Sequence, residues 1–149
     1  MIKKKLYLHI GMPKTGSTAL QQFLTNNTQT LERHGFYYPK SPSNTVAQHC
    51  LGAIHLAKDS DRYKRNGKKE EKAAVVLMAD IRRSKCQKIL ISSEYLWEVQ
   101  PSILIEYFYD FEIVVIGYFR LPQKFAASIY QEFTKNCRLQ RTETVEEFL

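Results

Sequence analysis

The chain has little that would fasten it to a membrane, a metal or a disulfide framework. After the basic start Met1-Ile2-Lys3-Lys4-Lys5, the apolar run lasts only from Leu6 to Ile10 before Gly11 and Pro13 interrupt it. That is too short for a membrane span or for the apolar part of a secretion signal. Cysteine is scarce: Cys50, Cys86 and Cys137 are widely spaced, odd in number and form no C-x-x-C pair. They read as reduced thiols of a cytoplasmic chain. No H-x-x-x-H, no C-x-x-C and no acidic cluster offers ligand spacing, so no metal is expected. An arginine-rich helix and an aromatic stacking motif are also missing, which argues against nucleic acid as the partner. Neither an internal repeat nor a domain linker is found, and 149 residues is the size of one domain.

What the chain does have is a net charge of +7, which favours anionic ligands without choosing among nucleotide, acidic glycan and nucleic acid. It also has one informative stretch, Leu6 to Leu24, LYLHIGMPKTGSTALQQFL. This reads as a short strand (Leu6–Ile10), a glycine-bracketed loop and an amphipathic helix with Ala19, Leu20, Phe23 and Leu24 on one face. Unpaired N–H groups at the helix start, together with the helix dipole, make such a loop a cradle for an anion. Gly11 and Gly16 let the backbone come close to it. The spacing is nearly that of the nucleoside-triphosphate loop G-x-x-x-x-G-K-(S/T), but Ser17 stands where that loop has its lysine. The lysine is Lys14, inside the loop and directly after Pro13.

At Pro13-Lys14-Thr15-Gly16-Ser17-Thr18 the chain resembles the sulfotransferases that use 3′-phosphoadenosine 5′-phosphosulfate (PAPS), whose 5′-phosphosulfate loop runs Pro-Lys-(Thr/Ser)-Gly-(Ser/Thr)-(Ser/Thr). A second match lies further along, in the expected order. Val114-Val115-Ile116-Gly117-Tyr118-Phe119-Arg120 is an apolar strand ending in arginine, and Ser128 lies eight residues further on. The resemblance implies that Arg120 and Ser128 bind the 3′-phosphate, while Lys14, the backbone N–H groups of Thr15 to Thr18 and the Ser17 and Thr18 hydroxyls hold the 5′-phosphosulfate. It further implies a P-loop-like fold of bacterial type, and transfer of a sulfuryl group to a hydroxyl or amine acceptor, a small molecule or a glycan. Lys14 would neutralise charge on the leaving oxygen.

The rest of the chain alternates helical and strand patterns. Gln29 to Arg33 reads as helix ended at His34-Gly35, Phe36 to Pro39 as an extended segment, and Val46 to Lys58 as helix. Asp59 to Lys72, dense in both signs of charge, reads as solvated loop and helix start, with helix continuing over Ala73 to Arg83. Strands are expected over Lys88–Ser92 and Glu112–Phe119, and helices over Pro101–Tyr109 and Pro122–Thr134. The fold class is therefore α/β, a three-layer arrangement of a mostly parallel sheet with helices on both faces. Ligands of such sheets collect at the C-terminal ends of the strands.

A hydroxyl acceptor needs a general base, which in the resembled family is histidine or glutamate. His49 and Glu94 are the candidates. His9, within its strand, is expected to pack or hydrogen-bond beneath the loop, and His34 and His55 to be structural. Tyr95 and Trp97 are candidate walls of an acceptor site. Two rival readings remain: a P-loop kinase or NTPase, which would want a lysine after Gly16, and a non-catalytic polyanion-binding module. Thr144 to Leu149 has the pattern of a capping box opening a helix. Because the resemblance covers only the earlier part of a usual family domain, the expectation is a domain incomplete at its C-terminus, with Phe125, Ile129, Phe133, Phe148 and Leu149 partly exposed.

Overall fold

The structure is a computed structural model that describes residues 3–12, 14–42, 47–51 and 67–135. In chain order its elements are β1 (Lys4–His9), α1 (Ser17–Asn26), α2 (Thr28–Arg33), β2 (Phe36–Tyr37), α3 (Lys68–Arg83), β3 (Lys88–Ser92), α4 (Pro101–Tyr107), β4 (Phe111–Ile116) and α5 (Pro122–Lys135). A 3-10 turn, Glu94–Glu98, comes directly after β3. The expected α/β class holds, and the four strands form one sheet in the order β2-β3-β1-β4. Every pairing in it is parallel.

Alternation along the strands sets the two faces of the sheet. Leu6 pairs in register with Ile89 and Ile113, and Leu8 with Ile91, so these side chains share one face. Against them lie Ala74, Leu77, Met78 and Ile81 of α3, one helical stripe, and Leu104 of α4 with Phe108 just beyond it. Fully burying each of the leucine, isoleucine, methionine and phenylalanine side chains is worth about 1.5–3 kcal/mol, and this layer holds most of the core. Tyr37, whose backbone pairs with Ile89, fixes the sheet edge to α3 through a 2.5 Å hydrogen bond from its hydroxyl to Asp80.

The opposite face carries Tyr7, His9, Leu90, Ser92, Val114 and Ile116. Here α1 docks, with Gln21 donating to the Ser92 hydroxyl at 3.1 Å. Right-handed crossovers require this arrangement, since β1 connects toward the β2 edge whereas β2 and β3 connect the other way. Helices on both faces fit a three-layer α/β fold.

The helix start expected within the charged segment is Lys68: Glu70 and Glu71 occupy the first turn of α3 and Arg82 and Arg83 the last, each sign at the end of the helix dipole that stabilises it. Several boundaries differ from the sequence expectation. The helix expected over Pro101–Tyr109 stops at Tyr107. β4 ends at Ile116 rather than Phe119, since Gly117 gives the strand no side chain to pack and pairing with β1 is complete at His9. The buried stripe of α1 is Ser17, Gln21 and Leu24, and Phe23 is 59% exposed. Its underside meets the polar end of the sheet, so a glutamine with a partner is accommodated where the periodicity alone would place an apolar residue. Of the helix expected over 46–58, residues 49–51 form a 3-10 turn and 52–58 lie outside the described residues. Cys137 and Thr144–Leu149 also lie outside them, as does the side chain of Phe133, while Phe125 and Ile129 are half-buried.

Cys50 and Cys86 are both unpaired. Burial pushes the Cys50 thiol up to about 11, which leaves it protonated and unreactive at neutral pH. Among the described residues no helix is long and apolar enough to cross a membrane.

Candidate functional site

The site is placed by the sheet. His9 is level with both Ser92 and Ile116, so β1, β3 and β4 end side by side, and the segments leaving their C-terminal ends share one rim. The chain leaves β1 and β3 in opposite directions, which opens a crevice between their ends.

The loop after β1 is built from two left-handed residues. Lys14 has φ 65° and Gly16 φ 92°. Glycine takes this conformation without strain, and a Cβ at Gly16 would meet nothing within 4 Å. At Gly11 the constraint is close approach: a Cβ there would lie 2.8 Å from His9 Nε2 and 3.3 Å from Thr15 Oγ1. The Thr15 hydroxyl closes the loop by donating to the Met12 carbonyl at 2.6 Å. α1 then starts without a side-chain cap, its first backbone bonds running from Ala19 and Leu20 back to the Gly16 carbonyl. The N–H groups of Ser17 and Thr18 precede these first intrahelical donors, as those of any helix start do. Ser17 is buried against Thr15, with 3.5 Å between their hydroxyl oxygens, and Thr18 is exposed. Pro13, the remaining residue of the motif, lies outside the described residues.

Two further side chains reach the loop. Arg120 lies four residues beyond the end of β4, and its Nη1 donates to the Lys14 carbonyl at 2.9 Å. It is thus a loop residue rather than a strand-end one, and it connects the two sequence motifs directly. Glu132 of α5 forms an ion pair with the Lys14 ammonium. Ser128 sits one helical turn before Glu132, on the same side of α5. Sequence reasoning misses Glu132, because nothing in the sequence says which face of α5 meets the loop.

At the neighbouring strand end, His49 packs against the residues that flank Glu94. His49 Nδ1 is 3.1 Å from the Ser93 hydroxyl, and its ring stacks on Tyr95 at 4.5 Å. It therefore touches the residues on both sides of Glu94. Gln48 fixes this segment to β3: its backbone N–H donates to the Ser92 carbonyl at 3.0 Å, and its side-chain oxygen accepts from the Ser92 N–H at 2.8 Å. Trp97 is 44% exposed and packs edge-on against Phe119. His9 is buried beneath the loop, as expected, and His34 stands at the C-terminus of α2, away from the rim. His55 lies outside the described residues.

The electrostatics stem from this packing. Burial lowers the His9 pKa below the ordinary value, with Glu94 acting in the opposite direction, so Glu94 is close enough to be felt under the loop. Backbone N–H groups, hydroxyls, an ammonium and a guanidinium converge at the rim, a donor set that suits a phosphate or sulfate ester. Among the described residues no three His, Cys, Asp or Glu side chains are grouped as metal ligands would be. No protein-family model, curated protein or solved structure matches the chain.

Proposed function

We propose that this chain is a PAPS-dependent sulfotransferase domain of P-loop-like fold. The observation that carries the reading is the hydrogen bond from Arg120 to the Lys14 carbonyl, across 106 residues of chain. Two short motifs that independently resemble the phosphate sites of these enzymes meet at one rim of the sheet.

The donor set fits the cofactor. The loop from Lys14 to Thr18 would hold the 5′-phosphosulfate at the start of α1, and Arg120 with Ser128 the 3′-phosphate. When bound, PAPS supplies an activated sulfuryl group. Lys14 contributes positive charge where the leaving oxygen becomes anionic, which asks for positioning more than for covalent chemistry. His49 or Glu94 takes the proton of the acceptor hydroxyl. The acceptor is a polar hydroxyl compound, a glycan or a small molecule, approaching over Tyr95 and Trp97.

Equilibrium binding tests the assignment. Adenosine 3′,5′-bisphosphate is expected to bind without magnesium and in preference to ATP. A preference for ATP that requires magnesium would favour a kinase or NTPase instead. Binding of random DNA that collapses steeply with salt, with no nucleotide bound, would favour the polyanion module.

A further inference from the structure

His9 is the last residue of β1 and is 1% exposed. A polar ring in so buried a position is expected to have partners at both nitrogens. Nδ1 has one, the Ser92 hydroxyl at 2.7 Å. Nε2 is buried and has none among the described residues.

The neighbours decide where the ring proton sits. Ser92 has one hydroxyl hydrogen and two lone pairs. One lone pair accepts from Gln21 Nε2 at 3.1 Å, and the hydrogen is assigned to His9 Nδ1, 2.7 Å away, since a ring donating from Nδ1 would take that partner from it. An accepting Nδ1 leaves the ring proton on Nε2. That N–H lies under the loop, where the Gly11 backbone passes so close that a Cβ would come within 2.8 Å of Nε2 and 3.3 Å of Thr15 Oγ1. Glycine at position 11 is therefore what lets the loop lie directly over the His9 ring.

We propose that His9 is a further anion-binding residue: held as the Nε2–H tautomer by Ser92 and Gln21, it donates from beneath the loop to an oxygen of the phosphate or phosphosulfate. This rests on the reading of residues 11–18 as an anion cradle. The donor is neutral, so it orients the anion without adding to the charge of Lys14 and Arg120. It also gives this loop a side-chain contact on its sheet side, in addition to backbone contacts from the helix side.

The experiment uses the full chain with ¹⁵N-labelled histidine and adenosine 3′,5′-bisphosphate as the probe. In the free protein the His9 ring is expected to show a protonated Nε2 and an unprotonated Nδ1. Saturation with the nucleotide should shift Nε2 and its proton while leaving the tautomer unchanged. His9→Gln, which keeps an N–H at similar reach, should bind within about three-fold of the native chain, and His9→Phe should bind about ten-fold or more weakly. Ser92→Ala, which removes the hydroxyl that selects the tautomer, should give an intermediate loss if His9→Phe fails to fold. Nucleotide binding at full affinity with an unmoved Nε2 signal, or a ring protonated on Nδ1 in the native chain, overturns the role of His9 alone. If neither the nucleotide nor inorganic phosphate binds the native chain, the cradle reading falls, and this one with it.

Discussion

The ammonium of Lys14 is held by the carboxylate of Glu132, so the cation at the centre of the loop is neutralised by α5. An incoming anion must compete with that carboxylate. Both side chains are about a third or more exposed, which limits such a pair to about 0.2–1 kcal/mol. Glu132→Gln is therefore expected to tighten adenosine 3′,5′-bisphosphate binding by roughly two- to five-fold, most at low salt. Calorimetric titration at two ionic strengths checks this. An unchanged affinity would mean that Glu132 leaves Lys14 without cost when the anion arrives.

Lys14 and Arg120 should separate in kinetics. Lys14→Ala is expected to lower turnover far more than cofactor affinity, because the charge it answers grows in the transition state. Arg120→Ala should chiefly weaken cofactor binding, by about 1–2 kcal/mol for an exposed charge-assisted contact. Equal losses of affinity in both variants, with turnover of the bound complex untouched, would refute this division.

The two candidate bases are adjacent through Ser93 and Tyr95, so their single variants need care. His49→Ala or Glu94→Ala should reduce turnover by about a hundred-fold or more with cofactor affinity nearly intact. The residue whose loss also removes the acidic limb of the pH–rate profile is the base. If neither variant slows the reaction, the proton leaves by another route.

Burial sets a pH dependence of stability at His9. Its native pKa lies below the 6.5 of an unperturbed histidine, against the opposing influence of Glu94. Ser92, Gln21 and the edge of Tyr118 are its other neighbours. Above pH 6.5 the ring is neutral in both folded and unfolded chains and contributes no slope. As pH falls through 6.5 the unfolded chain takes up the proton first, so stability is lost until the native pKa is reached. Urea unfolding between about pH 7.5 and pH 5 should show this loss in the native chain and a shallower one in His9→Gln.

Much of the fold is legible locally. β1, β3 and the body of β4 are short apolar runs bounded by turn residues, and α3 and α5 carry helical periodicity, so neighbouring residues suffice to identify them. The charged start of α3 is legible too, once Glu70 and Glu71 are read against Arg82 and Arg83 as complements to the helix dipole. What cannot be read locally are the pairings made by tertiary packing. Nothing near Glu132 says that it faces Lys14, and nothing near Gln21 says that this glutamine, rather than Phe23, is buried. The solvent exposure of Phe23 and the burial of Gln21 both result from the polar sheet end beneath α1, which is assembled from His9 and Ser92, residues 83 apart in the chain.

The all-parallel order β2-β3-β1-β4 also constrains how the chain can fold. β1 finds no partner nearby: Lys5 meets Lys88 on one side, and Lys4 meets Phe111 on the other. No pairing in this sheet is a hairpin, so each must close a long loop before it gains its contacts, which is slow. During synthesis the strand that ends up at the centre is the first to emerge and must wait for both neighbours, leaving Leu6 and Leu8 uncovered meanwhile. The loop after β1 therefore takes its final shape late, when β3 brings Ser92 under His9 and the segment after β4 delivers Arg120 to the Lys14 carbonyl.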